Sequence, residues 1–200
     1  MTTGTQDKAA RARAVLAEAL ASSGSGAPSP ALDPKTRETE PDRHDAARQI
    51  VLRQLAMGPR SRAQLEQKLA RGDCPADVAA AVLDRMTEVG LVDDEAYAQV
   101  FVRSQQAGRG LALGALAREL RARGIEDDLI HVTLASISDV DERDRARALV
   151  DKKLRAMHGL GVEVQTRRLA GMLVRKGYSS DLVYGVIREA IADAPEHLPD

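Results

Sequence analysis

Leu116-Ala117-Arg118-Glu119-Leu120-Arg121-Ala122-Arg123-Gly124-Ile125-Glu126-Asp127-Asp128 decides the reading of this chain, because its pattern is written three times. Leu116 and Leu120 stand one helical turn apart. So do Leu65 and Leu69 in Leu65-Glu66-Gln67-Lys68-Leu69, and Leu169 and Leu173 in Leu169-Ala170-Gly171-Met172-Leu173. Each pair runs into a short basic turn: Arg71-Gly72, Arg123-Gly124 and Lys176-Gly177. An apolar or soft residue follows (Cys74, Ile125, Tyr178), then an aspartate at the head of a second apolar run (Asp77, Asp128, Asp181). Those aspartates, Asp77, Asp128 and Asp181, lie 51 and then 53 residues apart. A near-constant period of this size indicates stacked helical repeats, each too small to bury its apolar face alone. Such arrays bind along extended partners and seldom build a catalytic pocket.

Working outward, a helical period dominates from Asp45 onward. Ala47, Ile50, Val51 and Leu55 share one face of a first helix, which Gly58-Pro59 stops. Ser61-Arg62-Ala63-Gln64 is a capping box for the second, the serine oxygen and the glutamine side chain each satisfying an orphan backbone donor. Pro75 suits the start of a third helix, with Val78, Val82, Leu83 and Met86 as its buried stripe and Gly90 as its end. Asp93-Asp94-Glu95 is an N-terminal acidic cluster for the next helix, where Tyr97, Val100 and Phe101 are spaced for one face. Gly108-Arg109-Gly110 breaks it, and helices over Leu113–Arg123 and Asp127–Ile137 follow. The last repeat opens at Asp139, with Ala146, Leu149, Val150, Leu154 and Met157 as a stripe. Its remaining helices span Val164–Arg175 and Ser180–Ile191, Ser179 being an N-cap and Tyr178 a staple against Val183. No stretch alternates with a strand period. The fold class is therefore all-α: nine main helices in three tandem three-helix repeats, forming an elongated array.

Residues 1–43 differ in kind. Ser22-Ser23-Gly24-Ser25-Gly26-Ala27-Pro28-Ser29-Pro30, Asp33-Pro34 and Glu40-Pro41-Asp42 cannot bury enough surface to offset chain entropy. The expected organisation is a disordered tail and linker over 1–43, repeats over 44–92, 93–138 and 139–194, and a C-terminal tail over 195–200.

Lys and Arg total 29 against 30 Asp and Glu, which argues against nucleic-acid binding driven by overall charge but leaves room for a local basic stripe. Aromatics are Tyr97, Phe101, Tyr178 and Tyr184, few for a groove that stacks single-stranded bases. One cysteine allows no intramolecular disulfide and fits a reducing cytosol. No apolar run approaches transmembrane length, and the N-terminus lacks the apolar core of a secretory signal, so a cytoplasmic location is expected.

Three blocks carry a resemblance to the RecX family, regulators of the RecA recombinase. They are Pro59-Arg60-Ser61-Arg62-Ala63-Gln64-Leu65-Glu66-Gln67-Lys68-Leu69, then Gly90-Leu91-Val92-Asp93-Asp94-Glu95-Ala96-Tyr97-Ala98 with Phe101-Val102-Arg103-Ser104, then Leu116-Ala117-Arg118-Glu119-Leu120-Arg121-Ala122-Arg123-Gly124-Ile125. Arg175-Lys176-Gly177-Tyr178-Ser179 agrees more loosely. The resemblance covers about Asp45 to Ala192. Two positions depart from the family pattern: Asp73 stands in the usual Gly slot of the first repeat, and Ser104-Gln105 replaces the common Ser-Arg. The resemblance implies a modular, curved helical protein that binds the RecA–DNA filament, within its helical groove. It also implies inhibition of ATP hydrolysis, strand exchange and coprotease activity, and no catalysis of its own. RecA is thus the implied partner, with DNA inside the filament as a further contact, weak on its own, and the protein a monomer.

Basic residues recur at the middle helices and their turns. The simplest role for Arg71, Arg123 and Lys176 is to sit at helix C-termini, where the macrodipole favours cations. Repetition adds a second reading, because stacked repeats place equivalent residues along one edge. On that reading Arg103, Arg109, Arg118, Arg121, Arg123, Lys152, Lys153, Arg175 and Lys176 form a basic rim for an acidic filament surface or DNA phosphate. Asp93-Asp94-Glu95 lacks the converging ligands of a metal site. Tyr97 and Phe101 read as core, and Cys74 as a small apolar filler. His44, His131, His158 and His197 are scattered, Gly108-Arg109-Gly110 and Gly159-Leu160-Gly161 lack the Lys-Ser/Thr of a phosphate loop, and no nucleophile–base pair stands out. No catalytic residue, metal or cofactor is expected. The alternatives are a DNA-binding transcription regulator built on a helix-turn-helix such as Ser61 to Glu88, and a helical-repeat adaptor for another protein.

Overall fold

The computed structural model describes residues 40–194. The expected tail up to Thr39 and the C-terminal residues from 195 lie outside the described residues. Among those described the fold is all-α: α1 (Glu40–Met57), α2 (Arg62–Ala70), α3 (Ala76–Glu88), α4 (Asp94–Arg109), α5 (Leu113–Arg121), α6 (Asp127–Ala135), α7 (Asp139–Leu154), α8 (Val162–Lys176) and α9 (Ser180–Ala192), with a short 3-10 turn at Arg155–Met157. The chain divides into two compact units, one ending at Tyr97 and one beginning at Ala98. The first holds the first repeat, and the second holds most of the other two.

α1 begins at Glu40, ahead of the expected start at Asp45. Proline is tolerated in a first helical turn, where its missing N–H has no intrahelical partner to lose, so Pro41 does not delay the helix. The capping box forms as read: Ser61 Oγ accepts from Gln64 N at 3.2 Å and Gln64 Oε1 accepts from Ser61 N at 3.2 Å. The core of this unit gathers Ala47, Val51, Leu52, Leu65, Leu69, Val82, Leu83 and Met86, with Cys74 packed against it. Cys74 is thus the filler expected.

The three leucine pairs are the deepest side chains of their helices, none above 1% exposure. Each is followed by the same chain reversal. The N–H groups of Cys74, Ile125 and Tyr178 donate to the carbonyls of Leu69, Leu120 and Leu173, five residues back, at 3.2, 3.2 and 3.3 Å. This is the long bond of a Schellman motif, which requires a left-handed residue just before the donor. Gly124 (φ 75°) and Gly177 (φ 89°) supply it in two repeats, and Asp73 (φ 56°) in the first. The apparent match of Gly72 to Gly124 and Gly177 is therefore off by one. Aspartate is among the few side chains that tolerate this conformation.

Several expected details shift. On α4 the buried residues are Ala98 and Val102, while Val100 is exposed at 44% and Tyr97 and Phe101 are half-buried. Gly108 and Arg109 still belong to α4, so the break is Gly110–Ala112. Ser179 occupies the N-cap of α9 without a side-chain hydrogen bond. The acidic cluster also divides its labour. Asp93 caps its own helix, accepting from Ala96 N at 2.9 Å, whereas Asp94 accepts from Arg62 N, the first residue of α2, at 2.8 Å. Glu142 of α7 does the same for α5, accepting from Leu113 N at 2.8 Å. A carboxylate from the following repeat thus satisfies an orphan donor of the preceding middle helix and complements its positive end.

In the second unit the largest core cluster joins Ala146, Val150, Leu154 and Met157 of α7 and its 3-10 turn to Leu169 and Leu173 of α8 and Val183, Val186 and Ile187 of α9. Gln165 is fully buried but satisfied, its Nε2 donating to the Met157 carbonyl at 3.2 Å. The C-terminus of α8 meets the N-terminus of α5, with Ala112 N donating to the Lys176 carbonyl at 3.0 Å. The contact leaves no room at Gly177: a Cβ there would lie 2.6 Å from both Cβ and N of Ala115. Gly177→Ala combines a left-handed backbone with this clash, so it is expected to destabilise the protein by about 2 kcal/mol or more. Thermal or denaturant melts of purified protein check this; a melting temperature equal to that of the unaltered chain refutes the packing.

Candidate partner-binding surface

All nine cations of the expected rim lie in the second unit or on its helices, but they do not form one class. Arg109, Arg121, Arg123 and Lys176 are engaged within the protein. Arg109 pairs with Glu119 at 2.7 Å, and Arg121 with Asp127. Arg123 pairs with Glu119 at 3.1 Å and donates to the Glu119 carbonyl at 2.6 Å. Its guanidinium also lies 4.2 Å from the centroid of the Phe101 ring, a cation–π contact that explains why Phe101 sits at the edge of the core. Lys176 Nζ donates to the Arg109 carbonyl, at the negative end of α4. The helix-terminus role weighed for Arg123 and Lys176 is the one these contacts fit.

Arg103, Arg118, Lys152, Lys153 and Arg175 are exposed and make no ion pair among the described residues. Two of them, Lys152 and Arg175, line a groove of about 730 Å3 together with Arg109, Arg145 and Lys176. Five cations and no carboxylate line this groove, whose floor includes Leu149. It is built by the C-terminal end of α4, the middle of α7 and the C-terminal end of α8.

Arg145, one of the basic residues of the long helix of the third repeat, is not among the nine chosen from sequence as contacts. It is half-buried, and its Nη2 is enclosed without a hydrogen-bond partner among the described residues. A sequence signal for it exists: Arg145 and Lys152 are seven residues apart, hence on one face of α7. The neighbouring arginines of that helix face elsewhere. Arg143 pairs with Glu189 on α9, and Arg147 with Asp151 at 2.8 Å and Asp193 at 2.9 Å. Those two hydrogen bonds raise the Arg147 pKa.

Tyr178 stands beneath the groove, 5% exposed, its hydroxyl donating to the Gly110 carbonyl at 3.2 Å. Burial raises its phenol pKa above 10.0, with Glu142 adding to the rise and Arg145 opposing it. Burial also raises the Cys74 thiol, helped by the charge of Asp77, so this cysteine is less ionised than a free one. Among the described residues no group of three or more His, Cys, Asp or Glu is placed to hold a metal ion, and no helix is long and apolar enough to cross a membrane.

A chain of tandem three-helix repeats with a cation-lined groove and internally paired helix ends has the build of a binding protein. Comparison with known proteins gives its family. The models for the first, second and third three-helix domains of RecX match residues 47–86, 93–134 and 141–187. The chain is 47% identical over 150 residues to a regulatory protein RecX of Thermobifida fusca, spanning 75% of this chain and 81% of that one. It is 45% identical over 171 residues to a regulatory protein RecX of Streptomyces coelicolor, spanning 83% and 91%. Among solved structures, RecX from Lactobacillus salivarius superposes with a TM-score of 0.68 at 21% identity, covering 75% of this chain and 97% of that one. This protein belongs to the RecX family.

The Tyr178 geometry has a pH consequence. Above pH 10 the unfolded phenol loses its proton while the buried one keeps it, so the folded state binds more protons there and stability falls as pH rises. Tyr178→Phe should lose about 1 kcal/mol at neutral pH with the hydrogen bond. It should also show a shallower loss of melting temperature between about pH 9 and 11 than the unaltered protein. Parallel slopes for the two proteins over that range would refute the assignment.

Proposed function

We propose that this protein is a non-enzymatic regulator that binds the RecA–DNA filament and inhibits its ATP hydrolysis, strand exchange and coprotease activity, in DNA repair and recombination. The observation that carries this reading is the match of three successive RecX domains across residues 47–187. Close relatives named regulatory protein RecX support it. So does the division of cations, because residues already paired inside the protein leave a defined exposed set for an acidic filament surface or DNA phosphate. The protein acts in the cytoplasm as a monomer, with RecA as its partner and DNA of the filament as a second contact. Contact through exposed cations makes inhibition salt-sensitive.

The test is single-stranded-DNA-dependent ATP hydrolysis by the cognate recombinase with increasing amounts of this protein. Inhibition at or below stoichiometric amounts is expected. No inhibition by folded protein at low salt refutes the function. The triple variant Arg103→Glu, Arg118→Glu, Lys153→Glu, at three exposed positions, should raise the half-inhibitory concentration by about tenfold while circular dichroism stays helical. Unchanged inhibition by that variant removes these residues from the contact.

The tail read from composition as a passive tether over residues 1–43 contributes nothing to this contact, and because α1 starts at Glu40 the part to remove is 1–39. A chain beginning at Glu40 should inhibit within about twofold of the full one. A large loss on deletion in the same assay would assign the tail a direct part.

A further inference from the structure

The groove of the second unit supports a more specific assignment than the rim, and it rests on the filament reading for the source of its ligand. We infer that the groove between the C-terminal end of α4, α7 and the C-terminal end of α8 seats the phosphodiester backbone of a nucleic-acid strand, with Arg145 as its anchor.

The charge pattern comes first. Arg109, Arg145, Lys152, Arg175 and Lys176 converge on a groove lined by no carboxylate, in a protein whose cations and acids balance overall. Arg109 and Lys176 are held by Glu119 and by a backbone carbonyl. Arg145, Lys152 and Arg175 have no ion pair among the described residues. Like charges drawn together repel, and an anion in the groove relieves that repulsion. Arg145 adds an argument from placement. It is half-buried in the wall of the groove with no carboxylate to pair with among the described residues, so a phosphate against the accessible part of its guanidinium supplies the missing counter-charge.

The second argument concerns which anion. No aromatic side chain lines the groove, so bases have nothing to stack on and recognition falls to the backbone, without sequence preference. Arg145 and Lys152, two turns apart on α7, are separated by about 10 Å along the helix. A DNA strand carries a phosphate about every 3.4 Å of B-form axis, so any register of the strand offers charge to both cations. An acidic peptide would need carboxylates placed for the purpose. Leu149, between the two cations, meets the sugar face.

The experiment measures retention of a fluorescein-labelled oligodeoxythymidylate of about 16 nucleotides by the full-length protein, without recombinase, across a salt series. The double variant Arg145→Gln, Lys152→Gln should bind at least tenfold more weakly and lower the magnitude of the log–log salt slope by about 1.4, two contacts at about 0.7 each for a single strand. The charge-matched control Arg53→Gln, Arg188→Gln, at exposed positions outside the groove, should keep affinity and slope. Lys152→Glu alone, at an exposed position with no ion pair among the described residues, should weaken binding in the same sense. It keeps the test decisive if Arg145→Gln harms folding. Equal binding by groove and control variants overturns the proposal. So does displacement of the oligonucleotide by poly-glutamate as effective, charge for charge, as by unlabelled oligonucleotide, which would make the groove a seat for an acidic protein segment. Because no recombinase is present, the outcome is separable from the filament reading. Groove-dependent strand binding with no ATPase inhibition would sink the proposed function and leave this site. Unaltered strand binding with lost inhibition by the groove variant would do the reverse.

Discussion

The bond from the N–H of Cys74, Ile125 and Tyr178 to the carbonyl of Leu69, Leu120 and Leu173 is the constraint on which the rest of the architecture depends. The leucine that accepts it is also the last fully buried residue of its middle helix, so one residue fixes both the core contact and the point where the chain turns back. The left-handed residue before the donor then sets the direction of the third helix. Without the reversal, the apolar faces of α3, α6 and α9 would have no fixed angle to the leucine pairs they cover. In the last repeat the same turn takes on a second task. Its residues Lys176, Gly177 and Tyr178 reach the carbonyls of Arg109 and Gly110 and the first turn of α5, tying the third repeat to the second. The lack of space for a Cβ at Gly177 follows from that double use.

What was legible in the sequence was local. The leucine pairs, the Ser61–Gln64 box, Pro75 at the head of α3 and the aspartates at the heads of the third helices depend on neighbours within a turn or two, and periodicity and capping chemistry report on that range. What depended on distant partners was not legible. Asp94 looks like a cap for its own helix and serves α2. Glu142 gives no hint in sequence that it reaches Leu113. The glycine of Arg71-Gly72 invites alignment with Gly124 and Gly177, but the conformation passes to Asp73, because the chain needs a left-handed residue at that place and not a glycine as such. Ser179 has the right position for a cap and leaves the bond unmade.

The candidate surface was legible by count and not by partner. Sequence finds the cations of α4, α5 and their turns, yet Glu119 pairs with both Arg109 and Arg123, and the Phe101 ring holds Arg123 as well. Conversely Arg145 sits among Arg143 and Arg147, which resemble it in sequence but turn to Glu189 on α9 and Asp193 just past its end. Only a three-dimensional neighbour list separates an arginine that holds two helices together from one left facing a groove.

The balance of charge acquires meaning at this level. Arg62 with Asp84, Arg85 with Glu88, Arg121 with Asp127, Arg143 with Glu189 and Arg147 with two aspartates all pair at the surface. Exposed pairs of this kind contribute roughly 0–1 kcal/mol each, so stability rests on the buried leucines and the turns behind them. Their larger effect is on where an external anion can gain. At a paired cation an incoming phosphate competes with a carboxylate already in place, and the net gain is small. At Arg145, Lys152 and Arg175 no acid among the described residues has to be displaced, so the full attraction is available to a ligand. In a chain with almost no net charge, attraction for an external anion is thus set by where cations without an internal partner gather, and among the described residues three of them meet in one groove.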